Sequence, residues 1–146
     1  MHAELKSYLA ANQVGVLGVC LTDGTPHTAA VHYSQREDPF CIFIQSGRDS
    51  VKCSPFSTKD TVLASLTVGT SEEEWKTMQV HGVLEMLQSG DDVTEFKHYH
   101  YAKNPDAEAH DGHDTAYLKL TPTWWRFSDY NTHPLRVIEE TGEKSL

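Results

Sequence analysis

Apolar positions along this chain fall mostly in short runs separated by polar, turn-forming clusters, a pattern that predicts strands more often than helices. Residues Ala3 to Ala11 are the first exception. Leu5, Tyr8 and Leu9 share one helical face there, so residues 1–12 are expected to form an N-terminal helix ended by Asn12. From Val14 to Leu21 the chain is almost wholly apolar and rich in β-branched residues, which predicts a strand buried on both faces. Asp23-Gly24 then separates it from a second strand-like run, His27 to Tyr33. Asp-Gly between two such runs is a strong hairpin signal, because the turn needs a positive φ and glycine supplies it without strain.

Further strands are expected at Phe40–Gln45, Thr61–Val68 and Lys76–Leu87, and as two short pieces, Tyr117–Leu120 and Thr123–Phe127, divided by Pro122. Ser34 to Pro39 is polar and predicts a turn. Ser46 to Ser50 opens a loop and a short helical turn that Pro55 breaks. Thr70 to Glu74 predicts a cap with a first turn, or a charged bend. Asp91 to about Lys103 predicts a helix with Val93, Phe96 and Tyr99 or His100 on one side, followed by a loop from Asn104 to Asp114. Residues 131–146 are expected to be a polar tail, frayed or laid over a partner. About six strands joined by tight turns, without βαβ alternation or internal repeat, predict one mostly β domain over 1–146, a closed or half-closed antiparallel barrel with short flanking helices.

Composition narrows the function classes. The chain has 146 residues and a formal charge of −9, so it has no net attraction for nucleic acid. No apolar run nears the roughly 20 residues of a membrane span, and no signal-like leader is visible, so a cytoplasmic protein is the expectation. The 3 cysteines, Cys20, Cys41 and Cys53, form no Cys-x-x-Cys pair, which argues against a disulfide framework or a zinc ribbon. Cys20 and Cys41 fall in apolar runs and are expected to pack as small hydrophobes, with Cys53 in a loop. Of the 9 histidines, His98, His100, His110 and His113 cluster, but no recognised ligand spacing accompanies them and no metal site is assigned. His27 and His32 flank the second strand, where an imidazole could exchange protons near neutrality, although packing or solvent exposure is the commoner role.

Four fragments in order carry a family resemblance. They are Gly18 to Tyr33 across the hairpin, Cys41-Ile42-Phe43-Ile44-Gln45-Ser46 with Ser50 and Lys52, Trp75 to Leu84, and Leu118 to Phe127 leading to Asp129-Tyr130. Together they resemble the FMN-binding split-barrel proteins related to pyridoxamine 5'-phosphate oxidase. The resemblance implies a six-stranded antiparallel split barrel with Greek-key connections, forming a homodimer with FMN between the subunits. It implies main-chain contacts to the flavin ring from Thr28, Ala29, Ala30 and Val31, and a phosphate site at Ser46, Ser50 and Lys52 with Arg48 added and Lys59 a lesser candidate. It also places Gln79 at the pyrimidine end of the flavin, against the alternative of a surface-facing glutamine. Trp124 or Arg126 would reach the flavin of the other subunit, with Trp125 in the core.

The true oxidases carry a C-terminal arginine–histidine motif that grips the substrate phosphate. Here Trp125-Arg126-Phe127-Ser128-Asp129-Tyr130 has no such histidine. The resemblance therefore points to the general-stress-protein-like branch: a flavoprotein and oxidoreductase whose small-molecule substrate and catalytic residues are unassigned. A deazaflavin, a haem or a non-catalytic stress-response role are the alternatives.

Overall fold

The structure, a computed structural model, describes residues 1–142; the last four residues of the expected tail lie outside the described residues. Helix α1 (Ala3–Ala11) precedes β1 (Val14–Cys20), β2 (Pro26–Glu37) and β3 (Phe40–Gly47). A 3₁₀ helix (Val51–Ser57) leads to β4 (Thr61–Val68) and β5 (Lys76–Leu87). Helix α2 (Asp91–Lys103), a second 3₁₀ helix (Pro105–His110), β6 (Thr115–Asp129) and β7 (Arg136–Thr141) complete the chain. The strands run in the order β3-β2-β1-β4-β5-β6-β7, and a further β3–β6 pairing closes the first six into an antiparallel barrel. The mostly β, six-stranded barrel expected from the pattern is therefore present, with β7 as an additional strand on β6.

Inside the barrel Leu17, Leu66, Met78, Val80, Leu84, Leu118 and Leu120 are buried together, and α1 plugs one end with Leu5 and Leu9. Each such side chain contributes about 1.5–3 kcal/mol relative to an exposed one. Tyr33 Oη donates to the carbonyl of Leu9 at 2.7 Å and ties the plug to β2. Trp125 joins this core as expected, edge-on to Phe40 at 5.0 Å. Helix α2 packs outside the barrel, where Phe96 meets Cys41, Phe43 and Leu87 in a second cluster.

That outer cluster corrects one expectation. The strand buried on both faces is β3, whose Cys41 to Ile44 are all buried, because α2 covers its outside. Strand β1 instead alternates, with Val14 exposed at 50% and Cys20 exposed rather than packed. Cys53, expected in a loop, is buried in the main core.

Two other elements run longer than predicted and one strand was not predicted, each for a visible reason. Strand β2 continues through the polar residues Ser34 to Glu37 because α2 supplies partners: His100 for Ser34, Lys103 for Gln35 and Glu95 for Arg36. The two short strands around Pro122 are one strand, β6, since a register shift opposite His81/Gly82 accommodates a residue that cannot donate to the ladder. Within the expected polar tail, Arg136 to Thr141 pair with Trp124 to Asp129. The charged bend appears as a turn over Glu72–Trp75, with Ser71 Oγ accepting from the amide of Glu73. Among the described residues no helix is long and apolar enough to cross a membrane.

Candidate functional site

The barrel forks between β2 and β3. The two strands pair only from Tyr33↔Ile44 to Glu37↔Phe40; beyond that point β3 continues against β6 alone, from Gln45↔Tyr117 to Gly47↔Thr115. The stretch Pro26 to His32 of β2 pairs with β1 on one side only. In an antiparallel strand, alternate residues aim both their N–H and C=O to the same side. Every second residue of this stretch therefore presents an unpaired donor and acceptor across the fork. A backbone edge of this kind is the part of a sheet that accepts a flat polar ligand or another strand.

Above the fork, the end of α2 and the second 3₁₀ helix form the opposite wall of a cleft of about 850 Å³. That volume is within the range of small-molecule and cofactor sites. Ala30, Val31 and His32 line it from β2, Gln45 to Gly47 from β3, and Lys52 from the first 3₁₀ helix. His100, Lys103 and Asn104 line it from α2 and its end.

The cleft gathers four of the eleven residues that the resemblance nominated: Ala30, Val31, Ser46 and Lys52. Ser50 stands directly behind, its Oγ 2.9 Å from Ser46 Oγ. Both hydroxyls also reach the carbonyl of Gly47, at 2.9 and 3.1 Å. Because one carbonyl serves two donors, either hydroxyl proton can turn to an anion without orphaning Gly47. Lys52 makes no ion pair among the described residues. Arg48 is turned aside: its amide donates to the carbonyl of Asp114 and its Nε to that of Thr115. Thr28 and Ala29 lie farther along β2, outside the cleft lining.

Gln79, Trp124 and Arg126 lie elsewhere on this chain. Gln79 is exposed on β5 opposite Arg126 of β6, and the Trp124 ring lies tilted against that of His81 next to them, 4.4 Å between centroids. Three of the four clustered histidines, His100, His110 and His113, line the cleft. His100 is buried, His110 and His113 reach the rim of the cleft, and no group of three metal-binding side chains occurs among the described residues.

The α2 residues of the cleft were not nominated as binding residues. Burial is the main reason that His100 is held down to about 4, with the charges of His32 and Lys103 adding to it. Lys103 is pushed down to about 8 by burial. Its ammonium donates to the Leu9 carbonyl and to Gln35 Oε1, and lies 3.9 Å from the centre of the Tyr33 ring. Gln45 donates from Nε2 to the Ala107 carbonyl, while its enclosed Oε1 has no partner. The sequence held one signal for this group. His100 follows Phe96 by one turn on the apolar side of α2, a position that predicts an imidazole under the helix rather than on its surface.

No protein-family model matches the chain, and no curated protein matches its sequence. Solved structures do. A heme binding protein from Mycobacterium smegmatis superposes with a TM-score of 0.77 at 19% identity, over 95% of this chain and 57% of that one. A Clostridium acetobutylicum protein related to general stress protein 26 of B. subtilis, in the pyridoxinephosphate oxidase family, gives 0.69 at 12% identity over 94% and 92%. An FAD-binding protein from Mesorhizobium loti gives 0.63 at 17% identity over 87% and 94%. The chain thus spans little more than half the length of the mycobacterial protein. At these identities the likeness defines the fold, which is the split barrel of the pyridoxamine phosphate oxidase type. Structures sharing it include a flavin-binding and a haem-binding protein.

Proposed function

We propose that this chain is an FMN-binding flavoprotein with oxidoreductase activity, working as a homodimer. The observation that carries the reading is the fork: an unpaired main-chain edge on β2 facing two serine hydroxyls and an unpaired lysine across one cleft. A flavin ring has donors and acceptors along its rim and suits such an edge, and its phosphate suits Ser46, Ser50 and Lys52. In a chain with a formal charge of −9, an unpaired lysine on the wall of a cleft is a feature that an anionic ligand explains.

Bound FMN would supply the electron-transfer chemistry, and the barrel would supply position and shielding. Main-chain groups of Ala30 and Val31 would orient the ring. Gln79, Trp124 and Arg126 face away from the cleft of their own chain, so their nominated role requires the second subunit. The weakly polar outer face of β1 and β4, where Val14 and Leu63 are exposed at 50% and 70%, is the surface on which that subunit would pack.

The test is an FMN titration followed by flavin fluorescence, on the wild type and on Lys52→Ala. Charge-assisted hydrogen bonds contribute about 1.5–3 kcal/mol, so the variant should bind roughly 10- to 100-fold more weakly. Equal affinity would reject the phosphate assignment. Mass spectrometry of the small molecule released from denatured protein separates FMN from a deazaflavin or a haem.

A further inference from the structure

His100 belongs to the apex of the fork, where β2 and β3 part company. It is 1% exposed, and its Nδ1 lies 2.9 Å from Ser34 Oγ. Ser34 is also 1% exposed, and among the described residues its hydroxyl has no other partner. A buried O–H left unpaired costs about 1–3 kcal/mol, so Ser34 donates and Nδ1 accepts. The proton of the neutral ring must then be on Nε2.

The direction of Nε2 follows from what surrounds it. Among the described residues no hydrogen bond engages this atom. Yet the enclosed, unpartnered side-chain atoms of the described residues are Gln45 Oε1, Tyr101 Oη and Trp125 Nε1, and Nε2 is not among them. The small exposure that His100 retains therefore includes Nε2, and the space it opens on is the cleft. One turn along the same helix, Lys103 adds an ammonium held only by neutral groups: two oxygens and the ring of Tyr33. No carboxylate of the described residues lies within ion-pair distance of it. Asp106 and Asp114 also line the cleft, but neither forms an ion pair with Lys103, and a half-buried cation without a carboxylate at contact raises the affinity of the adjoining space for an anion.

We propose that the apex of the fork is an oxyanion subsite in which His100 Nε2–H is the hydrogen-bond donor, Lys103 supplies the positive field, and the ligand is a small molecule bearing a carboxylate. Ser34 is the positioning residue, because it fixes the tautomer that presents a donor. The subsite is separate from the Ser46–Lys52 end: Phe43, which faces Ser34 across the ladder, is three residues from Ser46, about 10 Å along β3. It stands on the cleft geometry whichever cofactor the open end takes.

Benzoate is a suitable probe, with benzamide as its uncharged counterpart. In protein carrying ¹⁵N-labelled histidine, the ring nitrogens of His100 should report the Nε2–H tautomer, and benzoate should shift them saturably. Benzamide should bind at least roughly tenfold more weakly. His100→Phe keeps the stack on Phe96 and should lose benzoate binding, whereas His100→Gln, which restores an N–H near the Nε2 position, should recover most of it. Ser34→Ala should leave a mixture of tautomers and weaker binding. An Nδ1–H tautomer in the wild type, benzoate affinity unchanged in His100→Phe, or equal binding of benzamide would overturn the proposal. Repeating the titration with FMN present, and with Lys52→Ala, separates the two sites. Loss of FMN binding with benzoate retained bears on the flavin reading alone, and the converse bears on this one.

Discussion

Lowering the pH should destabilise this protein through His100 before its carboxylates matter. In the unfolded chain the imidazole takes up a proton near pH 6.5, whereas in the fold it resists until about 4, chiefly because the ring is buried and also because His32 and Lys103 lie near it. Between those limits the unfolded state binds more protons than the native state, so stability falls as pH falls. Above pH 6.5 the group imposes no penalty, and below 4 the loss is complete. Holding the imidazole neutral down to about 4 corresponds to about 3 kcal/mol, a large part of the 5–15 kcal/mol that separates native from unfolded domains. Asp23, Asp111 and Asp129 are held below the usual carboxylate range by hydrogen bonds, so their losses start near pH 4 and below. The assay is urea denaturation at pH 7.5, 6, 5 and 4.5, comparing the wild type with His100→Phe. The variant should start lower at pH 7.5, because Ser34 loses its partner at a cost of about 1–3 kcal/mol. The gap should then close, and the variant should overtake, as acid charges the wild-type imidazole. A gap that stays constant from pH 7.5 to 4.5 would show that His100 is not the group that titrates.

Three other expectations can be checked independently. Lys103 has its folded value depressed to about 8, so between pH 8 and 10 the unfolded chain holds the extra proton and stability should rise, by no more than about 3 kcal/mol, in the wild type but not in Lys103→Met. Gly69→Ala should cost about 3 kcal/mol or more by thermal unfolding. Its φ of +89° disfavours any side chain, and the added Cβ would sit 1.9 Å from Tyr8 Oη, expelling a hydroxyl that donates to the carbonyls of Val68 and Lys76. Light scattering at micromolar concentration should give the mass of a dimer, and charging the exposed outer face with Leu63→Glu should reduce it to that of a monomer; a monomeric wild type would remove the proposed role of Trp124 and Arg126.

Much of the architecture was legible because it is written in local chemistry. Asp23-Gly24 announced a hairpin, and the structure has Gly24 at φ +88° with Asp23 Oδ1 accepting from the amide of Thr25 at 2.9 Å. The bounds of α2 follow from the spacing of Val93, Phe96 and His100. Features that depend on what lies over a strand were not legible. The apolar run of β1 is no less hydrophobic than that of β3, but only β3 has a helix on its outside, and nothing within either strand says so. Likewise the polar run after Tyr33 reads as a turn until His100, Glu95 and Lys103 are known to face it.

The same distinction explains which part of the candidate site could be found in advance. Ser46, Ser50 and Lys52 belong to one continuous stretch, so a motif can hold them together; His100 and Lys103 meet Ser34 and Gln35 only because α2 crosses the fork, at separations of 66 and 68 residues. The fork itself is a long-range event. Strand β3 leaves β2 after Ile44 and keeps only its β6 partners, down to Ala116 and Thr115, and that departure leaves β2 without a second partner along Pro26–His32. A closed ladder there would satisfy those backbone groups and leave no edge for a ligand. The opening that ends the β2–β3 pairing is thus also what creates the site, and the unpaired main chain, the enclosed Gln45 oxygen and the uncompensated Lys103 ammonium are its local costs. A bound planar anion is an occupant that would answer the edge and the cations together.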